Sequence, residues 1–190
     1  MSVVAIPDWN SLGLLPPVDS VASPTSAARS PYPVSLKDVV MRFSTTPERR
    51  AIVGGFLRYR AVLREMGLVS GFQWLDGSFM EDVETLEQRA PNDIDVVSFV
   101  HVAEFAPGTT DPSTLMGPAA KVQFKVDAYF VELDALEPRQ LASLSAYWYS
   151  MWAHRRNHAW KGYLQVELAA DEDADAMAWL IQNGLAGASP

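Results

Sequence analysis

The chain has 190 residues, 48% apolar, 20% charged and 11% aromatic, the proportions of an ordinary globular protein rather than a disordered or fibrous one. Cysteine is absent, which excludes a disulfide framework and every cysteine-ligated zinc or iron–sulfur site. The 15 basic and 23 acidic residues give a net charge of -8, a balance that opposes non-specific attraction to phosphate backbones and anionic membranes.

No apolar run approaches the roughly 18 residues of a membrane span. The N-terminal segment lacks a basic start and is interrupted by Pro7, Pro16 and Pro17, so it does not read as a signal peptide. A cytoplasmic protein without a membrane partner is expected. Residues 1–35 hold six of the 13 prolines, with a Ser/Ala-rich stretch from Ser20 to Ser30, and read as an extended arm. Leu14 and Leu15 are placed to dock on the domain formed by residues 36–190, and the stretch from Ser20 to Ser30 is expected to be mobile.

The first clear helix starts where Thr45 or Thr46 can cap, Pro47 suits the first turn and Glu48 complements the dipole. Its apolar stripe is Ile52, Phe56, Tyr59, Leu63 and Met66, and Gly67 stops it. Arg49, Arg50, Arg58, Arg60 and Arg64 on this helix read as a solvated face. Short apolar runs follow, predicting strands over Val69 to Leu75, Ile94 to Val102, Val122 to Leu133 and Tyr163 to Leu168. A helix opened by Pro138 is expected to bury Leu141, Leu144, Trp148, Met151 and Trp152. A last one from Asp171 to Asn183 should turn Met177, Ala178, Leu180 and Ile181 inward, with Gly184 closing it. The order predicts an α/β (α+β) protein with a mixed sheet of about four strands flanked by helices.

The chemistry-bearing segment is Trp74-Leu75-Asp76-Gly77-Ser78-Phe79, followed by Asp93-Ile94-Asp95-Val96-Val97. Alternation along a strand turns Asp93 and Asp95 to one face and Ile94 and Val96 to the core. In the next strand it opposes Asp127 to the apolar Phe124, Val126, Ala128 and Phe130. If these strands are neighbours, three carboxylates meet on an open sheet face. Like charges so close repel unless neutralised, and a divalent cation is the usual solution. An all-oxygen set suits magnesium or manganese completed by phosphate oxygens. Gly77 lets backbone approach a phosphate and Ser78 offers a hydroxyl and an N–H. These parts fit transfer of a nucleotidyl group from a nucleoside triphosphate.

A Gly-Ser pair at a strand end, an Asp-x-Asp on the next strand and a third Asp further on resemble the nucleotidyltransferase superfamily of the polymerase beta type. Leu14-Leu15-Pro16-Pro17, the Arg-bearing helix, Gly77-Ser78-Phe79, Pro91-Asn92-Asp93-Ile94-Asp95-Val96-Val97 and Lys161-Gly162 resemble a standalone bacterial branch of it, over most of residues 14–168. The resemblance implies a nucleotidyltransferase-like sheet, Gly77 and Ser78 on the triphosphate, and Asp93, Asp95 and Asp127 on Mg2+ or Mn2+. It also implies transfer of a nucleoside monophosphate, ATP being one candidate donor, to a hydroxyl of an RNA, such as a tRNA end, or of a protein. A toxin–antitoxin or phage-defence setting, with an antitoxin partner, is implied on the same ground. One departure is the long span from Ser78 to Asp93, with Glu81, Asp82, Glu84 and Glu87, where the usual nucleotide-facing helix is expected to be short or displaced.

Arg155, Arg156 and Lys161 form a basic patch weighed as nucleotide-binding or acceptor-binding against a solvated loop. Asp171, Asp173 and Asp175 read as helix-start acids facing water. His154 and His158 read as chance spacing rather than a metal pair, and His101 is assigned no role. Tyr147, Trp148, Tyr149, Trp152 and Trp160 read as core or a packing surface for the arm. Two other classes remain open: a catalytically inactive binding module of the same fold, and a metal-dependent phosphodiesterase or nuclease.

Overall fold

A computed structural model describes residues 3–19, 23, 25–102 and 112–184. Five strands form one mixed sheet: β1 (Tyr32–Pro33), β2 (Gly71–Asp76), β3 (Ile94–Val100), β4 (Val126–Glu132) and β5 (Leu164–Glu167), in the order β1-β5-β2-β3-β4. β2 runs antiparallel to both β3 and β5, while β3 and β4, like β1 and β5, are parallel. The architecture is mixed α+β with five strands rather than four, because the arm itself supplies β1.

One sheet face carries the main core. Leu75, Ile94, Val96, Val126, Ala128, Leu164 and Val166 point into it. They meet α1 (Leu36–Phe43), α2 (Pro47–Glu65), α4 (Gly117–Phe124) and α6 (Asp173–Gln182). α2 begins as its sequence dictates, with the Thr46 hydroxyl accepting from the Arg49 N–H and Pro47 in the first turn. The stripe Ile52, Phe56, Tyr59, Leu63 and Met66 is buried. α1, which the sequence reading passed over, has Ser35 as its cap and buries Leu36, Val39, Val40 and Phe43 at helical spacing.

Four details depart from expectation. Val122 to Phe124 belong to α4, not to a strand, since Gly117-Pro118 opens a helix and Lys125, at φ 58°, ends it. Phe124 then packs on Tyr59, ring centroids 5.7 Å apart. Arg49 and Arg60 are buried rather than solvated. Arg49 donates to both Glu84 oxygens (2.6 and 2.8 Å) and to the carbonyls of Phe79 and Glu81. Arg60 pairs with Asp173 at 2.8 Å and donates to Gln73, so Asp173 is buried while Asp171 and Asp175 are exposed. Leu141, Met151, Ala178 and Ile181 are exposed where burial was expected.

The opposite sheet face packs Trp74, Val97, Phe99 and Val131 against Trp148 and Trp152 of α5 (Pro138–Trp152) and against Tyr163. Tyr147, Tyr149 and Trp160 are exposed. The arm is stitched to the domain. Leu14 and Leu15 are buried, Gly162 N–H donates to Leu15 O at 2.7 Å, and a Cβ on Gly162 would lie 2.4 Å from Pro16 O. Within the stretch from Ser20 to Ser30, residues 20–22 and 24 lie outside the described residues.

Candidate functional site

Strand register sets the site. Asp76 of β2 stands opposite Asp95 of β3, and Asp95 opposite Asp127 of β4. Each neighbours core-facing residues, Leu75, Ile94, Val96, Val126 and Ala128, so alternation turns all three aspartates to the α5 side. Asp93 precedes β3 and joins them on that side. This face is only half open: α5 covers Val97 and Phe99, further along β3, and leaves the aspartate end bare.

β2 ends at Asp76 because Gly77 takes φ 88°, a conformation that L side chains resist. A Cβ there would also come within 3.0 Å of the Asp95 carboxyl carbon and Oδ2. The Gly77 backbone N–H favours the charged form of the Asp76 carboxylate, against the effect of its burial. Ser78 then opens a single tight turn, Ser78–Met80, closed by Met80 N–H to Gly77 O and Glu81 N–H to Ser78 O. Buried Arg49 ties down the carbonyls of this turn. The helix that follows, α3 (Val83–Glu87), has five residues and is as short as the long span implied.

Gly77, Ser78, Asp93, Asp95, Asp127, Arg155 and Lys161, the residues singled out in the sequence, all border one cavity of about 730 Å³. The two cations among them are engaged from behind. The Lys161 ammonium is buried, 2.8 Å from Asp76 Oδ1 and 3.3 Å from Glu81 Oε1. Burial works against its charge, but Asp76 and Glu81 prevail and raise its pKa. Arg155 Nε lies 3.0 Å from Glu81 Oε2, and the same guanidinium grips Glu87.

The carboxylates are electrostatically loaded. Burial, then the charges of Asp76, Asp93 and Asp127, push the Asp95 pKa up from 3.8 to about 7, with Lys161 acting against them. Burial likewise raises Asp76, opposed by Lys161. Lys121 of α4 supplies further countercharge, its Nζ 2.5 Å from Asp93 Oδ2 and 3.7 Å from Asp127 Oδ2.

Among the described residues no three acidic or histidine side chains converge as a ready-made metal cage. His154 borders the cavity, but His158, its ring 5.7 Å away, does not. The donor set still fits a hard cation. Asp93, Asp95 and Asp127 offer oxygen only, their mutual repulsion is visible at Asp95, and the Lys121 ammonium already stands in as a cation between two of them.

Sequence reasoning passed over Asp76, Glu81 and Lys121. Alternation applied to β2 would have found Asp76, two positions beyond Trp74 on the same face. Lys121 was hidden because Val122 to Phe124, the residues just after it, were read as strand, so that its helix was not foreseen.

The chain belongs to a family of unknown function (DUF6932), whose sequence profile matches residues 7–167. No curated protein and no solved structure matches it. No helix among the described residues is long and apolar enough to cross a membrane.

Proposed function

We propose that the protein is a metal-dependent nucleotidyltransferase of the polymerase beta type. The observation that carries this reading is the row Asp76, Asp95, Asp127 across three neighbouring strands, with Asp93 beside it and the Gly77-Ser78 turn at its end. Asp93, Asp95 and Asp127 would hold Mg2+ or Mn2+, which when bound lowers the pKa of an attacking hydroxyl and neutralises triphosphate charge. Ser78 donates its hydroxyl to a phosphate oxygen, and Gly77 keeps that approach free of a side chain. Arg156, exposed at the cavity, meets the triphosphate from the solvent side.

In the reaction the acceptor oxygen bonds to the α-phosphorus, the bond to the bridging oxygen breaks, and pyrophosphate leaves with its electron pair. Asp127, the more exposed carboxylate of the β3–β4 pair, takes the acceptor's proton. Lys161 and Arg155 act behind the site by fixing Asp76, Glu81 and Glu87. The acceptor class is an RNA end or a protein hydroxyl, and a toxin–antitoxin or phage-defence role rests on the family resemblance alone.

The test is incubation of the protein with Mg2+, α-labelled nucleoside triphosphates and a cell lysate. Labelling of one macromolecule with release of pyrophosphate, lost in Asp127→Asn, supports transfer. Cleavage products without pyrophosphate would mark a phosphodiesterase instead. The ion pair from Lys121 to Asp93 favours a second reading, a nucleotide-binding module without catalysis, because a lysine can neutralise those carboxylates permanently. Nucleotide binding unaffected by a chelator, with no label transferred, would select it.

A further inference from the structure

Lys121 is a counter-ion of the acidic row that is not built into the protein interior. Lys161 is buried and committed to Asp76 and Glu81, and Arg155 to Glu81 and Glu87. Lys121 differs. Its side chain is 48% exposed, whereas the carboxylates it bridges, Asp93 and Asp127, are 13% and 28% exposed. The lysine therefore closes the acidic pair from the solvent side.

Its position follows from the fold. α4 ends at Phe124, Lys125 turns the chain through a left-handed conformation, and β4 starts at once. Ile94 N–H bonds to Lys125 O, so the last turn of α4 lies beside the start of β3 and beside Asp93. Lys121, one turn before the helix end, then reaches both carboxylates on a flexible four-carbon stem.

We propose that Lys121 is a resident counter-ion that an incoming divalent cation displaces, so that this lysine sets the threshold for metal binding. The inference rests on the reading of Asp93 and Asp127 as metal ligands. A divalent cation bound by this carboxylate pair would meet the Nζ of Lys121 at close range, and two cations on one pair repel. The stem allows the ammonium to swing outward, and it then borders the cavity where phosphate oxygens of the nucleotide are expected. The lysine would thus oppose metal alone and favour metal together with a nucleoside triphosphate.

The experiment measures Mn2+ binding to the full chain by calorimetry and by electron paramagnetic resonance, with and without a non-hydrolysable nucleoside triphosphate analogue. It compares wild type, Lys121→Met, Lys121→Arg and Asp127→Asn, each with a melting curve in chelator. Without nucleotide, Lys121→Met should bind Mn2+ about fivefold more tightly than wild type, the size of a partly exposed ion pair. Lys121→Arg should stay close to wild type, and Asp127→Asn should bind more weakly. With the analogue, the advantage of Lys121→Met should vanish or reverse. Unchanged or weaker Mn2+ affinity in Lys121→Met, beside normal binding by wild type, overturns the proposal and leaves the metal reading standing. Wild-type binding that Asp127→Asn does not weaken, or no binding at all, overturns the metal reading and the proposal with it. A lower melting temperature in Lys121→Met without a change in affinity marks a purely structural ion pair and also overturns it.

Discussion

Lys161 and Asp76 lie 85 positions apart in the chain, yet their side chains meet at 2.8 Å inside the protein, with Glu81 as a third member. The contact joins the segment after α5 to the end of β2, and so fixes Asp76 beside Asp95. It also means that the lysine weighed in the sequence as a nucleotide contact borders the cavity while already paired with two buried carboxylates.

Removing that support should be costly. Lys161→Met leaves Asp76 and Glu81 buried without their shared cation, a loss of about 3 to 5 kcal/mol. Adding Asp76→Asn to it should recover a large part of the loss. Denaturant melts of the two variants check this, and a cost below about 1 kcal/mol would show that the pair is better solvated than its burial implies.

Metal-free stability should depend on pH through Asp95. Its folded pKa, about 7, lies above the ordinary 3.8, so the native state binds the proton more tightly than the unfolded chain. Stability from this group is fully present below pH 4 and is lost as pH rises towards 7. Asp95→Asn should flatten that fall and be more stable than wild type at pH 8, by about 2 kcal/mol or more. Chemical melts in chelator at pH 5 and pH 8 measure it. A variant less stable than wild type at pH 8 would mean that Asp95 is a structural hydrogen-bond acceptor.

Gly77→Ala tests the turn. The alanine backbone must adopt φ 88° and its methyl group stand 3.0 Å from the Asp95 carboxyl, so we expect a loss of about 1 to 3 kcal/mol. Because the clash is with Asp95, the variant should also lose Mn2+ affinity, and calorimetry beside a melt separates the two effects.

Arg49 is expected to couple fold and site. Arg49→Met removes bonds to Glu84 and to the Phe79 and Glu81 carbonyls, at about 3 kcal/mol. Arg49→Lys should rescue little, since one ammonium cannot reproduce the forked geometry. Hydrogen exchange should show the segment 78–82 opening in both variants.

Local rules explain which parts were legible in the sequence. α2 has a cap, a first-turn proline and an apolar stripe within 20 or so positions, and alternation placed Asp93, Asp95 and Asp127 on one face. The burial of Arg49 and Arg60 was not legible, because Glu84 and Asp173 lie 35 and 113 positions away and only the fold brings them near. Val122 to Phe124 were misassigned for another reason. A short apolar run next to a strand has no period of its own, and the end of α4 depends on one residue, Lys125, adopting a left-handed conformation.

The two-residue strand β1 has a consequence for how the chain behaves in solution. Tyr32 and Val34 donate to Tyr163 and Gln165, covering the outer side of β5, while Pro31 and Pro33 have no N–H to offer a further strand. The arm thus seals this margin of the sheet against strand addition by another chain. A truncation beginning after Val34 would uncover β5, and such a shortened protein should self-associate more than the intact one, a difference that sedimentation measures.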